Sequence, residues 1–241
     1  LAVRDAAGIL DLPGFSRFVV KGPHVANWLS AQITGKVPNV GRLGLAYFAD
    51  AKGRIVTEMS VARMAEDEVM LITAATAQAH DREWLQRHLA AGLELRDVTE
   101  GWSTQILTGP ASRAILAEVT QADLTRPWLT WQTATIGGAE VLLMRVSFAG
   151  ELGWEIHSQV ADTAAVWEIV MRAGRGHGLR PFGMFALNSL RIEKGYRAWK
   201  GDLSTDYSVL QGGLERFVDF TKPAFRGRGA LLAEKQAGVA K

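Results

Sequence analysis

The stretch FAGELGWEIH, residues 148–157, sets two carboxylates, Glu151 and Glu155, among apolar and aromatic residues. Gly150 and Gly153 flank Glu151. A strand that only fills a core has little use for an acid at a bend, so Glu151 is the first candidate for holding a ligand by hydrogen bonding. Glu155, four positions further along the same strand region, reads as structural. A second cluster lies in PFGMFALNSLRIEKGYRAW (181–199), where Asn188, Arg191 and Gly195 fall at i, i+3 and i+7 and share one face of a helix. Glu193 stands roughly 200° around the helix from Arg191, so the two have different jobs. On the helix alone, Arg191 also reads as a solvated helix arginine and Glu193 as a surface acid. Just beyond, KGYRAWKGDLSTDYSVLQGGLERF (194–217) interleaves Tyr196, Trp199 and Tyr207 with Asp202 and Asp206. Aromatics among acids suit a planar ligand carrying N–H donors; an ordered loop packing its own aromatics fits the same composition.

The elements that must position these residues come from a chain of 241 residues with 48% hydrophobic and 22% charged residues, enough for one large domain or two small ones. The formal net charge of +2, from 27 basic and 25 acidic residues, is no nucleic-acid footprint, and no run of five like charges occurs. No 18-residue apolar run predicts a membrane helix. Arg4, Asp5 and Asp11 interrupt the N-terminal apolar stretch, so no signal peptide is expected, and the chain is expected in the cytoplasm. The absence of cysteine excludes disulfides and thiolate chemistry. The five histidines show no zinc spacing, so no metal is expected. A start at Leu1 rather than Met and a polar tail, AEKQAGVAK, suggest a piece of something longer.

One pattern occurs twice. FVVKGPHVANWL (18–29) and QILTGPASRAIL (105–116) both read as strand, Gly-Pro turn and helix, with proline at the helix start. Either a βα unit is duplicated or two common turns coincide. Strands are expected at 43–49, 54–62, 68–74, 131–136 and 140–148, with DAKGR (50–54) as a turn. Helices are expected at 76–90, at 162–173 with Asp162 as N-cap, and at 182–195. GRGHGLRP (174–181) follows a helix rather than a strand and reads as a connector, not a phosphate loop. The fold class is α+β, with antiparallel sheets and flanking helices.

GELGWEIH (150–157), ALNSLRIEKGYRAWKGDL (186–203) and GLERFVDFTKPAFRGRGALL (213–232) resemble the folate-binding aminomethyltransferase family, which includes the glycine cleavage T-protein. GILDLPGFSRFVVKGPHVANWL (8–29) and YFADAKGRIVTEMSVARM (47–64) fit its earlier segments less specifically. The resemblance is strongest to the C-terminal module of dimethylglycine and sarcosine dehydrogenases. It implies a cloverleaf of three subdomains around a tetrahydrofolate site, of which this chain would supply two, at 1–100 and 101–241, without the C-terminal barrel. It implies one-carbon transfer: FAD in an upstream domain outside this chain oxidises an N-methyl amine to an imine, and 5,10-methylenetetrahydrofolate forms. Folate and an amine or imine are then the small-molecule partners, with a fused or partner flavoprotein domain; no nucleic acid and no membrane are expected.

Carried over by motif, Glu151 holds the pterin ring, whose edge presents two N–H donors that match a carboxylate. Arg191 supplies positive charge, Trp199 lies beside the ligand, and Tyr196 and Asn188 complete the set. The family aspartate, thought to act at the folate nitrogen, aligns with Thr57 in GRIVTEM (53–59). Threonine is no general base near neutral pH, and Glu58 faces the other way on a strand, so a water or another acid must take the proton. This departure favours the flavin-fused branch over a stand-alone T-protein; a demethylase relative would need a different methyl donor, which the sequence does not reveal. A folate-binding accessory protein of iron–sulfur assembly would carry a KGCYxGQE-like motif where this chain has KGYRAWKGD. A structural role with folate binding lost is the remaining alternative.

Overall fold

The computed structural model describes residues 2–239; Leu1, Ala240 and Lys241 lie outside the described residues. In chain order the elements are α1 (Ala2–Asp5), β1 (Ala7–Asp11), β2 (Phe15–Lys21), α2 (Val25–Gln32), β3 (Leu43–Ala49), β4 (Ile55–Ala65), β5 (Glu68–Ala74), α3 (Gln78–Arg87), β6 (Glu94–Asp97), β7 (Trp102–Thr108), α4 (Ser112–Val119), β8 (Trp131–Ile136), β9 (Ala139–Met144), β10 (Gly153–Gln159), α5 (Thr163–Ala173), β11 (Leu179–Pro181), α6 (Met184–Glu193) and α7 (Arg228–Ala237). Short 3-10 turns link several of them.

The chain divides into two compact units, but not at residue 100. One holds the residues up to Phe15 together with Val98–Tyr196; the other holds Ser16–Asp97 and the residues from Arg197 onward. Backbone pairing explains the correction. β1 lies antiparallel to β7, with Gly8 opposite Thr108 and Asp11 opposite Gln105, so the N-terminus belongs to the sheet of the later residues. The segment after Arg197 packs Leu203, Val209, Leu210, Leu214, Phe225 and Leu231 onto Tyr47, Ala49 and Ile55. Lys222 also donates to the carbonyls of Ser30, Ile33 and Gly35 at 2.6, 2.7 and 2.9 Å, a cation at the C-terminal end of α2.

Within the first unit six strands run in the order β11-β1-β7-β10-β9-β8; within the second, five run β3-β4-β5-β2-β6. The succession β2-α2-β3-β4-β5-α3-β6 therefore recurs as β7-α4-β8-β9-β10-α5-β11, in the same spatial order, with β1 inserted before β11. This shared topology extends the two Gly-Pro turns of the sequence to a whole repeated unit. The prolines sit two positions before Val25 and Ser112, so they shape the turn rather than occupy the first helical position. The fold is α+β: β1 with β7, β7 with β10, β10 with β9, β9 with β8, β3 with β4, β4 with β5 and β2 with β6 pair antiparallel, and β1 with β11 pairs parallel.

Alternation buries one face of β10, where Trp154 and Ile156 join Leu107, Leu143 and Val141. The expected strand 140–148 ends at Met144, and a loop carries the chain to β10. The connector at 174–181 holds a 3-10 turn, Gly174–His177, and the three residues of β11. Asp162 makes no side-chain cap to α5.

Candidate functional site

Glu151 stands in the bend before β10, as the glycines around it indicated. Gly150 has φ +73°, a left-handed conformation that a side chain would strain, and a Cβ there would meet Lys194 Cγ at 2.4 Å. The bend therefore brings Glu151 against the end of α6. Its carboxylate is half-buried, with 23% side-chain exposure. Arg4 Nη1 donates to Glu151 Oε1 at 2.6 Å, and Lys194 Nζ lies 3.5 Å from the same oxygen. Among the described residues no hydrogen bond reaches Oε2.

Arg4 itself holds four acceptors. Nη1 also donates to Ala149 O at 2.9 Å; Nη2 donates to Leu190 O at 3.1 Å and to Glu193 Oε2 at 2.7 Å; Nε donates to Glu193 Oε2 at 3.2 Å. Burial works against charge on Arg4, but its hydrogen bonds to Glu193 and Glu151 outweigh it and raise its pKa. Glu193 is thus no idle surface acid: an acid at a helix C-terminus is unfavourable against the dipole, and Arg4 compensates it.

α6 ends two residues sooner than expected because Gly195 takes φ +68°. Gly195 N–H bonds Ile192 O and Tyr196 N–H bonds Arg191 O, the paired closure of a Schellman motif. Arg191 and Asn188 meet as their i, i+3 spacing requires: Arg191 Nε donates to Asn188 Oδ1 at 2.7 Å, and Nη1 donates to Tyr196 O at 2.8 Å. Arg191 is 6% exposed and lies over Phe148, which stacks on Tyr196 with an interplanar angle of 15°. Arg191 therefore braces the end of α6. Glu151, Asn188, Arg191 and Tyr196 all belong to the first unit.

Thr57 and Trp199 belong to the second unit. Thr57 is fully buried, and its hydroxyl donates to Asp81 Oδ2 at 3.0 Å. Thr73 donates to the same oxygen at 2.8 Å, and His80 Nδ1 lies 2.9 Å from Oδ1. Thr57, the position aligned with the family aspartate, thus turns into the core of its unit. Glu58 does point to the opposite face, and that face carries the more capable acid. It stands opposite Tyr47 in the β3–β4 register, and the Tyr47 hydroxyl bonds its carboxylate. Burial raises the Glu58 pKa to about 7, against the smaller lowering effect of Tyr47. Burial, then the facing Glu58, also raises the Tyr47 phenol. Among the described residues, Glu58 Oε2 and Trp199 Nε1 are buried with no protein hydrogen-bond partner. Trp199 packs beside Leu203 and its neighbours, with Lys200 Nζ 5.1 Å from its ring.

Sequence reasoning missed Arg4, 147 residues from Glu151, for which no spacing signal exists. It set Glu58 aside on direction alone; the hairpin register through DAKGR was the signal that pairs it with Tyr47. Glu155 Oε2 lies 3.0 Å from His157 Nε2, a contact within β10. Among the described residues no group of three or more His, Cys, Asp or Glu could hold a metal ion, and no helix is long and apolar enough to cross a membrane.

The fold has known counterparts. The GCVT N-terminal domain matches residues 1–222, and the chain belongs to that family. It is 32% identical to the mitochondrial dimethylglycine dehydrogenase of Rattus norvegicus over 98% of this chain but 28% of that protein. It is 30% identical to an aminomethyltransferase of Halothermothrix orenii over 100% of this chain and 68% of that protein. The chain thus spans little more than a quarter of the dehydrogenase. Its fold superposes on the glycine cleavage system aminomethyltransferase T of Bartonella henselae with TM-score 0.88, at 22% identity, over 98% of this chain and 65% of that one.

Proposed function

We propose that this chain is a tetrahydrofolate-binding one-carbon transfer module, part of an FAD-dependent dehydrogenase of the dimethylglycine or sarcosine type that yields 5,10-methylenetetrahydrofolate. The observation that carries the reading is the Glu151 carboxylate: half-buried, held through Oε1 by Arg4, with Oε2 open to a ligand. A pterin edge, with two adjacent N–H donors, matches such an acceptor. Tetrahydrofolate supplies the nitrogen that takes up the one-carbon unit.

This chain's residues then bind and orient. Glu151 fixes the pterin edge. Arg191, through Asn188 and the Tyr196 carbonyl, keeps the end of α6 rigid beside it. Trp199 offers an indole N–H and an aromatic face. Glu58, the neighbour of Thr57 in the second unit, is the acid able to take a proton, because a carboxyl with a pKa of about 7 exchanges protons near neutral pH. Positioning and exclusion of water account for most of what the protein supplies. The flavin chemistry, the amine substrate and the flavoprotein partner belong to a larger assembly in this reading. The compartment we infer is the cytoplasm; the rat dehydrogenase is itself named mitochondrial, and fractionation of expressing cells decides between the two.

Titration of tetrahydrofolate, followed by tryptophan fluorescence, tests the reading. Saturable binding weakened by Glu151→Gln about tenfold or more, roughly 1.4 kcal/mol, supports it. Binding that the substitution leaves unchanged removes Glu151 as the anchor; a folded protein that does not bind removes the folate function.

A further inference from the structure

We infer that Arg4 is a positioning residue for the Glu151 carboxylate, acting as a clamp that fixes which oxygen faces the ligand. The inference rests on the reading of Glu151 as pterin anchor and deepens it. α1 is only four residues long and has no stability of its own. Its place is set by tertiary contacts: Val3 packs with Leu10, Ile106, Ala149, Leu187 and Leu190, and Ala111 N–H bonds Ala6 O at 2.9 Å. The strand β1, paired on both sides, continues directly from it. Arg4 therefore projects from a fixed base.

Its guanidinium joins two pieces of chain that the sheet alone does not tie together. One is the bend before β10, through Ala149 O and Glu151; the other is the last turn of α6, through Leu190 O and Glu193. A planar fork with donors in fixed directions can hold both; a lysine cannot. Because Nη1 takes Oε1 at 2.6 Å, rotation of the carboxylate is restrained and Oε2 is left as the acceptor for an incoming N–H. Glu193 acts one step further back, since it holds Nε and Nη2 and so aims the fork. At 22% side-chain exposure, Arg4 itself is largely shielded from water, which strengthens the clamp.

The experiment is a double-mutant cycle on the whole chain, read as tetrahydrofolate affinity. Arg4→Met is expected to weaken binding about tenfold where Glu151 is present, and less than about twofold in the Glu151→Gln background. Arg4→Lys should recover part of the loss, to about threefold, and Glu193→Gln should cost about two- to threefold only while Arg4 is present. A purely structural arginine would lower affinity by the same factor in both backgrounds, and that additivity overturns the inference while leaving Glu151 as anchor. If Glu151→Gln leaves affinity unchanged, the anchor reading falls and the role of Arg4 falls with it. Circular dichroism of each variant establishes folding; should Arg4→Met not fold, the Arg4→Lys and Glu193→Gln cycles against Glu151→Gln give the same decision.

Discussion

β2-α2-β3-β4-β5-α3-β6 recurs as β7-α4-β8-β9-β10-α5-β11, yet the acids of the two copies sit in different surroundings. In the second unit Asp81 is fully buried and surrounded by Thr57, Thr73 and His80. Glu58 is buried against Tyr47 with an oxygen unpartnered. In the first unit Glu151 stands at a bend, partly open, paired with Arg4 and Lys194. One topology thus places carboxyl groups inside a core in one copy and at a loop rim in the other. The difference follows from chain entry: β1 and α1 enter the first unit from the N-terminus and bring Arg4 to the loop. Burial shifts the Glu58 carboxyl toward its neutral form.

If this contrast is right, removing the core acid costs far more stability than removing the rim acid. Asp81→Ala strands two buried hydroxyls and is expected to destabilise by about 3 kcal/mol in urea unfolding, against less than about 1 kcal/mol for Glu151→Gln. Equal losses would erase the distinction.

The pH dependence of Glu58 sharpens it next. Its folded pKa, about 7, lies above the ordinary value of 4.5, so between these limits the unfolded chain has released a proton that the folded chain retains. The stabilisation is complete below about pH 4.5 and is lost as pH rises through 7, on the order of 3 kcal/mol at most. Glu58→Gln should flatten that slope in thermal melts across pH 4.5–8. Where turnover can be followed, the wild-type rate should rise through about pH 7 as Glu58 becomes able to accept a proton, and the variant should lose that rise.

The smallest effect concerns the brace of the first unit. Gly195→Ala forces a side chain into φ +68° and should destabilise by about 1 kcal/mol, with tetrahydrofolate affinity falling because α6 carries Glu193 to Arg4. A change in stability with unaltered affinity would detach the helix end from the binding role.

Much of this was legible in the residues. Alternation and helical spacing located β3, β5, β8 and most of the helices, because those patterns are set by which face must leave water. The i, i+3 spacing of Asn188 and Arg191 became a hydrogen bond. The short elements β1, β6 and β11 were not legible: three to five residues carry too little pattern, and only a neighbouring strand makes them strands.

The sequence by itself determined the α+β class, the bend at Glu151, the repeated strand–turn–helix and the family to which the chain belongs. These rest on local sterics, periodicity and motif. Only the tertiary structure decided that the two units interleave along the chain, that Thr57 turns inward while Glu58 meets Tyr47, and that Arg4 reaches Glu151 and Glu193. The Thr57 and Glu58 outcomes depend on strand pairing and burial within their unit, and the Arg4 contacts span 147 and 189 residues, where spacing along the chain carries no geometric information.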